Sequence, residues 1–433
     1  MGNVKPRIFI NMHYMEIGGA ERALLGLLNA IDTNRVDVDL FINQHTGEFM
    51  KLIPEEINLL PEISTYSVIE KPLVTAIKKG HIGIAFARLV AKFVHKIYSI
   101  PFRHYVAPPL FFRKKQSRSC EDATENNSLA PGPIKQERSV DDYSLFSLVA
   151  KYTTPLLPSL KFYGEYDLAI SFLTPHNIVK DKVKAKKKIA WIHTDYATVS
   201  IDAKREFTIW KSFNHIVSIS PDVTKSFVKV FPTLSNKIIE IENILSPTFI
   251  KQQATLFSPK EYKTDCLRIL SIGRFCYAKN FESIPFIAKI LKDRDLKFKW
   301  YIIGFGDSSE IIENICKTQT EDNVIILGKK ENPYPYISNC DIYVQPSRYE
   351  GKSVTVREAQ ILCKPVVITN YPTAGSQVLN GGDGIICEMN NESVADTIYN
   401  LSIDESKQQE IFSYLSTHDF GNEKEIEKIY ALL

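Results

Sequence analysis

The chain has 433 residues, 44% of them hydrophobic, with 53 Lys or Arg against 50 Asp or Glu; that is more than one compact core accommodates and fits two domains of about 200 residues each. No run approaches the ~20 apolar residues that a membrane-spanning helix needs, and residues 1–6 lead into a strand without a signal-peptide core, so the expectation is a cytosolic protein. Seven cysteines without a CxxC pair give no basis for a disulfide framework or a structural zinc site.

The first strand spans residues 7–12, and Ile17-Gly18-Gly19-Ala20-Glu21-Arg22 leads into a helix over 23–28 and a second strand at 36–42, a βαβ opening. Residues 71–120 then hold eleven Lys or Arg and no Asp or Glu, so the excess positive charge sits in one segment. Within it Arg88, Lys92 and Lys96 recur at four-residue steps on one helical face, and Ile82, Phe86, Leu89, Phe93 and Ile97 on another. Such a helix suits an anionic membrane surface. Packing on the first domain with the charges in water, or a nucleic-acid partner, are the other readings, and the bulky apolar residues favour the membrane.

Residues 114–140, rich in Ser, Asn, Lys, Glu and Pro, are expected to be a disordered loop. Strands follow at 168–172, 188–193 and 215–219, and residues 246–265 read as an interdomain linker. A second βα rhythm begins at 267–273 and repeats at 299–304, 323–328, 341–344 and 365–368, three of these strands ending in Gly. The expected fold class is α/β, with two doubly wound Rossmann-like domains facing across a cleft. They cover 1–245 and 266–410, and a C-terminal helix over 411–433 crosses back to the first.

After the strand at 341–344 comes Ser347-Arg348-Tyr349-Glu350-Gly351-Lys352-Ser353-Val354-Thr355-Val356-Arg357-Glu358-Ala359, two carboxylates eight positions apart, one in a turn and one in a helix. Open α/β sheets bind ligands at such turns. Eight helical steps would set the carboxylates ~12 Å apart along the axis, a span that fits the sugar and ribose ends of one nucleotide sugar. The backbone N–H groups of Gly351, Lys352, Ser353 and Val354 fall at the helix start, where anions bind. The bland alternative is a solvated Glu350 and a helix-surface Glu358.

On these residues the chain resembles the retaining GT-B glycosyltransferases of the group 1 (family 4) type, and among them bacterial enzymes that extend capsular, exopolysaccharide or O-antigen repeat units. The resemblance covers nearly the whole chain except about residues 75–150. It rests on Glu350 with Glu358, supported by Gly18-Gly19, Gly273-Arg274 with Lys279, and Gly328. It implies that Glu350 contacts the transferred sugar and Glu358 the ribose, while Arg274 and Lys279 grip the diphosphate as it leaves. Gly18 and Gly19 would let phosphate or acceptor approach the first helix, and Gly304, Gly328 and Lys329 would line the nucleobase. His193 matches a His pointed at the donor sugar, although a strand-end His is as often structural. Many relatives carry an aromatic residue and a Gly where this chain has Lys352-Ser353.

The implied activity is metal-independent transfer, with retention, of a sugar from a nucleoside diphosphate sugar, foremost a UDP-sugar, to a saccharide on a polyprenyl diphosphate. It would occur at the cytoplasmic face of the cell membrane, without a cofactor, a metal or nucleic acid. Metal-dependent glycosyltransferases of the other main fold use an Asp-x-Asp at a strand end, whereas Asp37-Val38-Asp39 lies within a strand. The Walker loop, the dinucleotide glycine fingerprint and the nucleophile elbow are all missing from the sequence. A GT-B sugar-nucleotide epimerase and a catalytically silent membrane-binding scaffold are the alternatives.

Overall fold

The computed structural model describes residues 5–98, 141, 142, 144–194, 196, 199–262, 265–350 and 352–433. The basic segment beyond residue 98, the expected loop at 114–140 and Gly351 lie outside the described residues. In the N-terminal half, strands β1 (Arg7–Met12), β2 (Asp37–Ile42), β3 (Asn58–Leu59), β4 (Glu165–Ser171), β5 (Lys184–Ile192), β6 (His215–Ser218) and β7 (Ile238–Glu240) form one parallel sheet. Their order is β3-β2-β1-β4-β5-β6-β7. Ile8, Phe9, Ile10 and Met12 of β1 are all fully buried, because a parallel strand covered on both faces needs a continuous apolar run. The order reverses between β1 and β4, where doubly wound sheets open a crevice.

Helix α1 (Gly19–Ala30) follows β1, and further along the chain α2 (Leu73–Lys78), α3 (Ile82–Tyr98) and α4 (Ser144–Thr153) pack together on this half. The inner face of α3 is Ile84, Ala85, Ala87 and Ala91, and Arg88 joins it, only 9% exposed. Its Nη1 donates to the carbonyls of Val68 (3.0 Å) and Lys71 (2.6 Å). The expectation that Arg88 shares an outward face with Lys92 and Lys96 is therefore corrected: Arg88 ties α3 to the preceding loop, and only the two lysines face out. Small residues let α3 lie close to the domain, which leaves the bulky stripe of Ile82, Phe86, Leu89, Phe93 and Ile97 outside, 50–67% exposed, beside Val74 and Ile77 of α2.

The C-terminal half repeats the architecture. Strands β8 (Leu267–Phe275), β9 (Phe298–Gly306), β10 (Val324–Gly328), β11 (Ile342–Gln345), β12 (Val366–Thr369) and β13 (Ile385–Cys387) run in the order β10-β9-β8-β11-β12-β13, again parallel. Helices α5 (Tyr334–Asn339) and α6 (Val354–Ile361) flank β11. The segment read as a linker is not irregular: Ser246 caps a helix over Pro247–Ala254 by accepting from the Phe249 N–H, and Phe249, Ile250 and Ala254 enter the C-terminal core. The tail is also divided. Ile411 and Leu415, in a helix over Glu405–Thr417, pack in the C-terminal half. A short helix α7 (Ile426–Tyr430) instead places Ile426 and Ile429, followed by Leu432, in the core under α1.

Candidate active site

The second sheet reverses between β8 and β11, and the turn after β11 carries Glu350. A chain of buried side chains holds that carboxylate. The Tyr343 hydroxyl donates to Gln345 Oε1 (2.7 Å), Gln345 Nε2 to Ser347 Oγ (2.9 Å), and Ser347 Oγ to Glu350 Oε1 (2.6 Å). Tyr343, Gln345 and Ser347 are fully buried, so the relay is fixed by the strand that bears it, and hydrogen bonds in such a setting are strong. Lys279, in the loop after β8, completes the arrangement by donating to the same oxygen at 2.6 Å. Arg274, at the end of β8, is exposed and makes no ion pair among the described residues. The structure thus joins Glu350 with Lys279 and leaves the Arg274 guanidinium available to an anion.

Glu358 has a different setting. It is fully buried on α6, and both its carboxylate oxygens lie 3.1 Å from Nη1 of Arg22, which stands one turn into α1 of the other half. The Tyr334 hydroxyl of α5 donates to Oε1 at 3.1 Å. Burial pushes the Glu358 carboxyl up, and Arg22 and Tyr334 pull against it. The carboxylate read as a ribose ligand is therefore the C-terminal end of an ion pair that bridges the two halves. Sequence reasoning missed Arg22, although it sits beside Gly18-Gly19 on the same helix, and Tyr334, for which no local signal exists.

A second bridge involves the residue that departs from the family pattern. Lys352 Nζ contacts both oxygens of Glu242 (2.7 and 2.8 Å), just beyond β7, and Arg357 Nη1 adds a contact at 3.4 Å. Burial works upward on the Glu242 carboxyl, but the hydrogen bond and charge of Lys352 with the charge of Arg357 outweigh it and hold it below its ordinary value. At the start of α6 the Ser353 N–H already donates to Gln377 Oε1 at 3.0 Å, which removes it from the expected row of anion-binding amides. Val354 opens the helix.

Gly304 lies opposite Gly273 in the β8–β9 register, and a side chain there would run into the Gly273 carbonyl, so it serves close strand packing before anything else. Gly328 has φ 69°, with open space around it, and ends β10 in a conformation that glycine adopts freely. Lys329 is exposed, its Nζ 5.4 Å from the centre of the Phe305 ring. At the start of α1 the Glu21 carboxylate lies against Gly18, while Gly19 faces open space. Burial raises the Glu21 carboxyl, and it feels both His13 and, from the other half, Lys329. His193 follows β5 with its ring 4.5 Å from Phe172 and stacked on Trp191, its Nε2 buried without a partner among the described residues; burial pushes it down to about 3. At neutral pH it is an uncharged imidazole.

Residues 252–416 match the family described as Glycosyl transferases group 1. An uncharacterized glycosyltransferase of Haemophilus influenzae is 27% identical over 206 residues, 46% of this chain and 58% of the relative. The N-acetylgalactosamine-N,N'-diacetylbacillosaminyl-diphospho-undecaprenol 4-alpha-N-acetylgalactosaminyltransferase of Campylobacter jejuni is 32% identical over 128 residues, 29% of this chain and 34% of that one. The matches span 34–58% of the length of the first three curated relatives. Among solved structures, S. aureus TarM in complex with Fondaparinux, alpha-GlcNAc-glycerol and UDP superposes with a TM-score of 0.61 at 15% identity, over 99% of both chains. Anabaena HepE in complex with UDP and glucose gives 0.60 at 13%, over 99% of this chain and 100% of the other. The two parallel-sheet halves therefore form a GT-B fold, as expected from the sequence.

Proposed function

We propose that this chain is a retaining glycosyltransferase that moves a sugar from a UDP-sugar to a saccharide acceptor carried on a polyprenyl diphosphate, in the assembly of a surface polysaccharide. The observation that carries the reading is Glu350, held by Ser347 and Lys279 at the switch point of the C-terminal sheet, with Arg274, which makes no ion pair among the described residues, at the end of the neighbouring strand β8. In this reading Arg274 and Lys279 meet the charge that develops on the departing diphosphate, where a fixed cation acts most strongly in the transition state. That role leaves no need for a metal. Glu350 faces the positive charge developing on the sugar, and the acceptor hydroxyl attacks from the leaving-group side, its proton passing to the diphosphate oxygen. Glu358 meets the ribose when Arg22 gives way or shares it.

The membrane part of the reading is supported by α3. Its large apolar residues face outward, with Lys92 and Lys96 at the edge of the stripe, the pattern of a helix lying in the headgroup region of an anionic bilayer. A lipid-linked acceptor would then reach the protein from the surface on which it sits, on the cytoplasmic side.

The test is turnover of a panel of UDP- and GDP-sugars by the purified chain. Release of UDP that is enhanced by a saccharide acceptor and abolished in Glu350→Ala supports the proposal. A silent scaffold is the second reading, favoured by the internal pairing of Glu358 with Arg22. Donor binding without transfer or hydrolysis, unchanged in Glu350→Ala, would decide for it.

A further inference from the structure

Helix α6 follows the Glu350 turn, and ion pairs at two places along it reach into the N-terminal half. Arg22 of α1 donates from Nη1 to both oxygens of Glu358 at 3.1 Å, and the Tyr334 hydroxyl donates to Oε1. Just before the helix Lys352 contacts both oxygens of Glu242 at 2.7 and 2.8 Å, and Arg357, next to Glu358 in the chain, reaches the same carboxylate at 3.4 Å. Lys51 and Glu331 also join the halves, but their side chains are 67% and 49% exposed, and a pair so open to water adds little.

These contacts close Glu358 to other partners. An ionised carboxylate offers about four acceptor sites; Arg22 and Tyr334 take three of them, and Glu358 is fully buried. A pair of ribose hydroxyls needs two free acceptor positions, and in this conformation it meets Arg22 first. Tyr334 is itself buried in the C-terminal core, whereas the Arg22 side chain keeps 17% of its surface in solvent, so it is the partner with a way out. The Glu242 cluster is looser. Its side chains are partly exposed and line a cavity of about 220 Å³ between the halves, so these pairs exchange for water without leaving a charge buried and alone.

We propose that α6 is latched to the N-terminal half as an autoinhibitory contact: Arg22 occupies the Glu358 carboxylate in place of a ribose, the Glu242 pairs hold the helix in that position, and a nucleoside binds only by displacing Arg22. The proposal rests on the ribose role given to Glu358 above, and it turns the pairing that favours a silent scaffold into a resting state of an enzyme. A ligand that binds only unlatched molecules has its apparent affinity lowered by the fraction of molecules that are unlatched. Weakening the latch therefore tightens nucleoside binding even though it removes contacts between the halves. A bridge that only supports the fold gives no such gain, since its loss lowers stability and leaves affinity equal or weaker.

The experiment is titration of the full chain with uridine, followed by ligand-observed NMR. Uridine has a ribose and a base but no phosphate, so Arg274 and Lys279 do not enter. Arg22→Met should tighten uridine binding about five- to ten-fold and Glu242→Gln about two- to three-fold, while Arg22→Lys, which keeps the charge, should fall between the natural chain and Arg22→Met. Glu358→Leu, which removes the acceptor, should weaken binding about ten-fold or more. Where Arg22→Met fails to fold, Glu242→Gln carries the test alone, because its side chain lies at the partly exposed cavity and not in the core. Equal or weaker uridine binding in the folded Arg22 and Glu242 variants, with binding lost in Glu358→Leu, overturns the latch and leaves the ribose role standing. Natural affinity in Glu358→Leu, or no uridine binding by any chain, overturns the ribose role and the latch with it.

Discussion

Arg22→Met tests the bridge between the halves. In the natural chain the fully buried Glu358 carboxylate has three contacts of 3.1 Å, two from Arg22 and one from Tyr334. Methionine replaces the stem of Arg22 but not its charge, and stranding one partner of a buried pair costs about 3–5 kcal/mol. The lower end applies, since Tyr334 still donates and a carboxyl already raised by burial can take a proton. Adding Glu358→Gln removes the stranded charge, so the double variant should recover about 2 kcal/mol of that loss, a coupling that a double-mutant cycle reads directly. Urea unfolding at pH 7 is the assay, followed by fluorescence of Trp191 and Trp210 in the N-terminal half and Trp300 in the other. Because the pair bridges the halves, part of the loss should appear as two separated transitions. A single transition shifted by less than about 1 kcal/mol, with no coupling in the cycle, would refute the reasoning.

Arg274→Ala should lower kcat by about 10²- to 10³-fold with an unchanged melting temperature, and near-natural turnover would remove it from the diphosphate. On anionic vesicles Phe86→Ser with Phe93→Ser should weaken sedimentation at least ten-fold and Lys92→Glu with Lys96→Glu should release the protein; unchanged sedimentation of both would defeat the membrane reading. His176, 1% exposed with Nδ1 on Ser171 Oγ, is pushed by burial to about 3 from an ordinary 6.5. The unfolded chain thus binds protons that the folded one does not, and stability present above pH 6.5 is lost as pH falls towards 3. The slope from this group is about 1.4 kcal/mol per pH unit, and His193 acts in the same direction. Urea midpoints at pH 7 and pH 5.5 should show that slope reduced in His176→Asn, and an identical slope would contradict it.

Much of this was legible in the sequence where one segment determines its own structure. The apolar run Ile342-Tyr343-Val344 had to be a buried strand, and the polar turn after it had to place Glu350 at the sheet's carboxyl end. The sequence was less informative about which way a face points. Periodicity found the two stripes of α3, but the inner face is the side of Ile84, Ala85, Ala87 and Ala91, and the larger residues face out. Partners far apart in the chain were invisible: Arg22 meets Glu358 across 336 positions and Lys352 meets Glu242 across 110. No local pattern encodes such pairs, since each end reads as an ordinary surface charge until the two halves meet. The same holds for Glu70 and His13, whose pairing depends on a loop arriving beside β1.

The central claim is tested most directly by the anomeric configuration of the product made from an α-linked UDP-sugar, read by proton NMR during turnover. The account predicts an α-glycoside from the natural chain and at least about 10²-fold slower formation in Glu350→Ala with UDP binding intact. A β-glycoside, or the same rate without the Glu350 carboxylate, would contradict it.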